Sequence, residues 1–306
     1  MIVREKEGWF RMLFVWRGSV LVNIFPRLLA LLLISVAVVY FHGTFFSYKI
    51  PLNPAPFTLL GVALAIFLGF YNTTSYERYW EGRKLWGAML NDTRSLARQA
   101  LTMSGPQQNS DDQRYFVRLL IAFTHSLKHQ LRNTDVQPDL ERLLPLEQAQ
   151  ELEPARYKPI MILMMMGNWV KKRVEAGNID TITQSAFDRN LNKLSDIVGG
   201  CERIASNPVP FTYSVLLHRT VYLYCFLLPF GLVDSIGWMT PVMVVFTGYT
   251  FMALDAIANE IEEPFGNQPN DLALNAMSHM IETTLLEMAQ EPLPDSLPPA
   301  DNYVVD

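Results

Sequence analysis

Four apolar runs organise the chain: 24-IFPRLLALLLISVAVVYF-41, 56-PFTLLGVALAIFLGFY-71, 220-TVYLYCFLLPFGLV-233 and 236-IGWMTPVMVVFTGYTFMAL-254. A helix that crosses a bilayer needs about 20 predominantly apolar residues, so the second and third runs cross only as parts of longer helices. The polar section between them has apolar residues at helical spacing in 83-RKLWGAMLNDTRSLARQAL-101 and 114-RYFVRLLIAFTHSLKHQL-131. The same pattern returns in 160-IMILMMMGNWVKKRVEAG-177 and 181-TITQSAFDRNLNKLSDIVGGCERIA-205. Stretches 104–113 and 133–159 carry the turn and Pro signals of connections, the latter with room for a short helix. After the fourth run the pattern breaks at Pro264, Phe265 and Gly266 and resumes over 271–290, and the tail 292–306 is Pro-rich, acidic and irregular. No repeat and no strand alternation stands out. The pattern predicts an all-α membrane protein with four transmembrane helices and a large helical cytosolic region. Its sections are 1–71 (N-terminal segment and first two spans), 72–212 (cytosolic helices), 213–255 (third and fourth spans) and 256–306 (C-terminal helix and tail).

Composition agrees: of 306 residues, 50% are hydrophobic and only 18% charged. The competing explanation of the apolar runs is buried helices of a large soluble protein. The net charge of −5 and the lack of a basic block give no reason to expect a nucleic-acid partner. Charge placement says more than its sum. Every Lys and Arg lies at or before Arg219, with Arg4, Lys6, Arg11, Arg17 and Arg27 ahead of the first span. Lys49 alone stands in the loop after it, and Arg78, Arg83, Lys84, Arg94 and Arg98 follow the second span. The positive-inside rule then puts both termini and the middle section in the cytoplasm. The basic N-terminus and apolar run resemble a signal peptide, but no small-x-small cleavage pattern follows, so the run reads as a retained span. Two cysteines, Cys201 and Cys225, make no disulfide framework.

Candidate chemistry starts with 61-GVALAIFLGFYNTTSYERYW-80, which passes from apolar to polar without a breaking residue. On a helix, Val62, Ile66 and Phe70 form one stripe about 12 Å long, beside a stripe of small residues, Gly61, Ala65 and Gly69. Small residues let helices approach closely in lipid, so the bulky stripe could ring an axis and gate by dewetting. The commoner explanation of such a stripe is the core of an ordinary bundle. Tyr76, Glu77, Arg78, Tyr79 and Trp80 at the inner end read as interfacial anchors, or Glu77 and Arg78 face a vestibule. His125 and His129, four apart on one helix face, could share a metal, but Ser126 stands where a metalloprotease helix would carry its acid. Metal sites usually need further ligands. The methionines of 161–166 suit a flexible core filler better than a soft-metal site. Glu260, Glu262, Glu263 and Asp271 bracket the Pro-Phe-Gly turn, an arrangement that suits Ca²⁺ or is simply a solvated helix end.

Three stretches, 68-LGFYNTTSYERYW-80, 201-CERIASNPVPFTYSVLLHRTVYLY-224 and 260-EIEEPFGNQPNDL-272, resemble the signature regions of the bestrophin ion channels, in particular the bacterial branch. The resemblance covers nearly the whole chain, in the family's order and spacing. It implies a homopentamer around one axial pore in the bacterial inner membrane, with lipid and permeant inorganic ions as partners and no enzymatic activity. The family's neck positions fall on Val62, Ile66 and Phe70, and its cytosolic aperture on Ile182, with Thr181 where many relatives have Pro. In eukaryotic relatives the turn after Pro-Phe-Gly clasps Ca²⁺. Asp271 matches one acidic ligand there and Gln268 replaces another, so Ca²⁺ is possible but not expected to be required, and no other cofactor is expected.

Eukaryotic members pass anions and bacterial members are associated with monovalent cations. Acidic rings raise local cation concentration, and Glu77 and Asp180 lie near the expected constrictions. The leading expectation is therefore a passive pentameric channel for monovalent cations such as Na⁺ or K⁺ with a hydrophobic gate. An anion (chloride) channel of the same architecture is the nearest alternative. A metalloenzyme using His125 and His129, or an electrically silent membrane scaffold, are alternatives of other classes.

Overall fold

The structure, a computed structural model, describes residues 1–3, 8–12, 14–16, 18–45, 48–49, 53–105, 110–298 and 303–306. Arg4, Lys6 and Arg17, four residues of the expected 104–113 connection and four of the tail lie outside the described residues. In chain order the elements are α1 (Trp9–Met12), α2 (Leu21–Tyr40), β1 (Thr44–Phe45), β2 (Tyr48–Lys49) and α3 (Pro54–Met103). There follow α4 (Asp111–Arg132), α5 (Gln137–Leu143), α6 (Leu146–Leu152), α7 (Lys158–Glu175) and α8 (Thr181–Ser206). The last are α9 (Phe211–Ile236), a 3₁₀ turn (Gly237–Met239), α10 (Thr240–Ile261) and α11 (Leu274–Met288). The expected all-helical architecture is present, with one small exception. An antiparallel ladder pairs Thr44 with Lys49 and Phe45 with Tyr48. Two residues per strand are too few for a period-two pattern to register in sequence. The second apolar run and the stretch after it form one 50-residue helix. No Pro falls between Pro56 and Met103, so nothing interrupts the backbone ladder. The 133–159 connection holds two short helices, α5 and α6, rather than one.

The chain divides into two compact units, and α3 contributes residues to both. One unit comprises Ile2–Tyr79 and Pro208–Glu263. Its helices α2, α9 and α10 pack on one another, joined by residues of α3 such as Leu64 and Leu68. Ile24, Leu28, Leu31, Ser35 and Val38 follow the three-and-four spacing of one buried face of α2. The opposite side of that helix, with Phe25, Leu29, Leu33 and Val36, is equally apolar yet exposed, as expected of a helix whose outer solvent is lipid. Close approach needs small residues here. A Cβ built on Gly248 of α10 would stand 2.5 Å from Leu31 Cδ2 of α2.

The other unit comprises Met1, Trp80–Asn207 and Pro264–Asp306. At its centre is α4, whose residues from Leu119 to Lys128 all have little or no exposure, enclosed by α5, α7, α8 and α11. A capping box starts α4: Ser110 Oγ accepts from the Gln113 amide, and Gln113 Oε1 accepts from the Ser110 amide at 3.0 Å. Asn133, at φ 52°, ends it in the left-handed region that Asn tolerates. In the methionine-rich α7, Met166 is buried beside Ile162 while Met161 and Met164 are exposed, so the run is only half core filler.

Replacing Gly248 with Val should lower the stability of the solubilised protein by about 1–3 kcal/mol through overpacking against Leu31. Gly69→Ala, where a Cβ meets nothing within 4 Å, should leave it unchanged or slightly raised. Thermal unfolding of the two variants in the same detergent checks the contrast.

Candidate ion pathway

Along the first half of α3 two faces are apolar, and the fold buries one. Leu64, Leu68 and Tyr71 are all but inaccessible and pack inside their unit. Val62, Ile66 and Phe70 are 56%, 54% and 63% exposed. The stripe is therefore not the core of its own chain. Of the small residues beside it, Gly61 is closed against Tyr224, where a Cβ would stand 2.8 Å from the hydroxyl, while Ala65 and Gly69 are open. The exposed stripe continues through Thr73 and Thr74 to Glu77, which is also exposed.

Ile182 is 79% exposed, in the first turn of α8. That turn is built by Asp180, whose Oδ1 accepts from the Ile182 and Thr183 amides at 2.8 Å each. The Thr183 amide, then that of Ile182, hold the Asp180 carboxyl below the usual carboxylate range, so its charge persists at neutral pH. An apolar side chain and a fixed negative charge thus stand together on an open surface.

The acidic turn is organised differently from a cation clasp. Asp271 is buried and its Oδ2 accepts from the Gln268 amide at 2.7 Å, closing the turn on itself. Glu262, also buried, accepts from Tyr71 Oη at 2.8 Å and from the Val209 amide at 2.9 Å. Among the described residues no group of three or more His, Cys, Asp or Glu is arranged to hold a metal. Asp271 stands as a turn-closing group here.

His125 and His129 meet through a third residue. Asp139 Oδ2 lies 3.1 Å from His129 Nε2 and 3.4 Å from His125 Nδ1. His125 Nε2 meets Glu282 Oε2 at 2.7 Å, and the Arg142 fork holds the same carboxylate at 2.5 and 3.2 Å. Burial works to raise the Glu282 pKa, but bonds from His125 and Arg142 overcome it and hold the group at about 2. Asp139 is likewise lowered against its burial, by His129 first and then by the charge of His125. The ring nitrogens are engaged with carboxylates and with Thr134, whose Oγ1 lies 2.6 Å from His129 Nδ1, an ion-pair network rather than a metal pair. Sequence reasoning missed Asp139, Arg142 and Glu282. The available signal was His125 and Lys128 set among the apolar residues of 119–127 in α4, where burial demands partners. It also missed Tyr71 and Asn259, although the buried spacing of Gly248, Met252 and Asp255 on α10 leads on to the buried Glu262 beside them.

The profile of the Bacterial/Fungal Bestrophin protein family matches residues 1–287. The chain belongs to the bestrophin family. This bestrophin is 51% identical over 292 residues, 95% of each chain, to a Ralstonia nicotianae protein named as a voltage-dependent anion channel-forming protein. It is 42% identical over 304 residues, 99% of each, to the Escherichia coli protein YneE, named in the same way. Its fold matches the crystal structure of a bacterial bestrophin homolog from Klebsiella pneumoniae with a TM-score of 0.84 and 46% identity, covering 88% of this chain and 99% of that one. The recognition from sequence motifs is thereby confirmed, and the protein is a bestrophin-type ion channel by family. The relatives' names favour anions over the cations expected from acidic residues.

Because the folded-state pKa of Glu282 lies below its ordinary 4.5, its contribution is full above about pH 4.5 and is lost as pH falls towards 2. Glu282→Gln, which leaves His125 and Arg142 without their carboxylate, should cost about 3 kcal/mol near neutrality. The variant should also lose part of the acid-side decline in unfolding temperature, measured from pH 7 to pH 3.

Proposed function

We propose that the chain assembles as a homopentamer around an axial pore and passes monovalent ions passively across the bacterial inner membrane. Val62, Ile66 and Phe70 form the neck and Ile182 a second constriction at the cytosolic end. The observation that carries this reading is the exposed apolar stripe on α3, backed by a buried face that fixes its direction. Five copies turned inward would cover the stripe and make an apolar ring, which resists water and gates by dewetting. Four crossings fit the apolar helices: α2, the first half of α3, and α9 and α10 within the continuous apolar stretch Phe211–Ile261. Arg11 and Arg27 on the N-terminal side, and a connector at 237–239 without Lys or Arg, support cytoplasmic termini.

Anions such as chloride are the proposed cargo, because the relatives are named for anion channels and the neck itself carries no charge. A cation preference is the second reading, favoured by the exposed Glu77 and by Asp180, whose ionised carboxylate stands beside Ile182. Neither reading relies on calcium, Gln268 standing where the resemblance places a second acidic ligand.

Reconstituted liposomes test the proposal. Ile66→Ala or Phe70→Ala should raise flux several-fold by widening the neck, whereas unchanged flux would move the stripe to the lipid face. Reversal potentials under a chloride gradient, then with Glu77→Gln and Asp180→Asn, separate the two selectivities. A chloride-following potential indifferent to both substitutions supports the anion channel, and a potential that follows the cation and weakens on neutralisation supports the second reading.

A further inference from the structure

A cavity of about 930 Å³ opens in the unit built around α4, among that helix, α5, α11 and the tail. Its volume is that of a small-molecule site, as is its make-up of apolar surface with a few polar groups. The helices bring the polar groups. His125 and Lys128 come from α4 and Arg142 from α5, while Asn275, His279 and Glu282 share one face of α11 through their spacing of four and three. The tail brings the apolar wall, in which the exposed Leu293 and Leu297 stand with Pro294, Pro298 and Val304. None of the candidate pore residues Val62, Ile66, Phe70 and Ile182 lines this cavity, so what it holds is a separate matter from the ion path.

Matching charges and donors around the cavity leaves one group short. Glu282 takes the Arg142 fork and the bond from His125. Asp306 takes the Arg132 fork at 2.5 and 3.1 Å and the Asn275 amide at 2.9 Å. Lys128 is only 8% exposed, and its ammonium has three protons to give. Among the described residues it donates once, to His125 Nδ1 at 3.3 Å. Asp139 Oδ2 lies 3.9 Å away, beyond hydrogen-bond reach, and is engaged by His129 at 3.1 Å. Burial lowers the Lys128 pKa in spite of the Asp139 charge, the mark of a cation whose lost hydration is not made good.

We infer that this cavity is a binding site for a small organic monocarboxylate, its carboxylate on Lys128 and its apolar body against Leu293 and Leu297 of the tail. Charge fixes the class. One buried cation lacks a close counter-charge, so a single negative charge completes the site. A phosphate dianion would carry a second charge towards Glu282, Asp295 and Asp306, which line the same space, and like charges repel strongly away from bulk water. A neutral polar molecule would leave the ammonium as it is. His279, whose ring has no hydrogen-bond partner among the described residues, is available as a further donor.

Fluorine NMR of 4-fluorophenylacetate with the full chain in lipid nanodiscs tests the site. This water-soluble monocarboxylate with an apolar ring should bind saturably. Phenylacetamide, its neutral counterpart, and phenyl phosphate, a dianion, should compete about tenfold more weakly or worse than phenylacetate. Lys128→Met keeps the stem and removes the charge, and should weaken binding about tenfold or more, the loss of a hydrogen bond between charged groups. Leu297→Asp changes an exposed side chain on the apolar wall and should weaken binding to a similar extent by like-charge repulsion. Thermal unfolding shows whether each variant is folded, and if Lys128→Met is not, Leu297→Asp decides alone. Absence of saturable binding, equal competition by the amide, preference for the phosphate, or full binding by a folded variant of either kind overturns the inference. Binding is read without ion flux, so failure of the channel reading would leave this result standing.

Discussion

A helix that is apolar on two faces can bury only one of them inside its own chain. In the first half of α3, Leu64, Leu68 and Tyr71 take the interior, and Val62, Ile66 and Phe70 are left outside. In water such a surface would be an aggregation liability. Beside helices such as α2, whose outer face is apolar from Phe25 to Val36, it belongs to a molecule whose surroundings are lipid. The direction of the exposed stripe is set by what lies behind it. Close packing at Gly61 against Tyr224, and at Gly248 against Leu31, leaves little freedom for the helices to rotate.

Polar groups in this protein are spent on holding such elements in place. Around Glu262 the Tyr71 hydroxyl and the Val209 backbone N–H converge at the C-terminal end of α10, with Asn259 on the far side of Tyr71. In the other unit, Asp139 and Glu282 collect His125, His129 and Arg142, while Arg132 forks onto Asp306 at 2.5 and 3.1 Å and reaches the carbonyls of Phe265 and Leu272. Asp139 and Glu282 are each met by an opposite charge, which is the condition under which an interior tolerates an ionised group. The same arrangement occupies the ring nitrogens of His125 and His129 with carboxylates, Lys128 and Thr134.

Much of this was legible from the chain alone. Apolar length announced the spans, three-and-four spacing announced the helices, and the motifs around Tyr76, Pro208 and Phe265 carried the family likeness. The 62/66/70 stripe was visible too, but spacing could not say whether it faced a core, lipid or an axis, because all three environments accept the same side chains. The roles of Asp271 and the two histidines stayed open in the sequence for a related reason. A carboxylate that caps its own turn and one that binds a cation use the same atoms, and only the partner's position distinguishes them.

The sequence by itself determined the helical architecture, the apolar runs long enough to cross a bilayer and the family, because these depend on period, composition and order along the chain. Tertiary structure alone decided which face of α3 is buried, and that His125 meets Glu282 from 157 residues away. It also decided that Tyr71 shares its hydroxyl with Asn259 and Glu262. Those outcomes depend on how helices distant in sequence approach and rotate against each other, a matter of shape and of hydrogen count that no local pattern records.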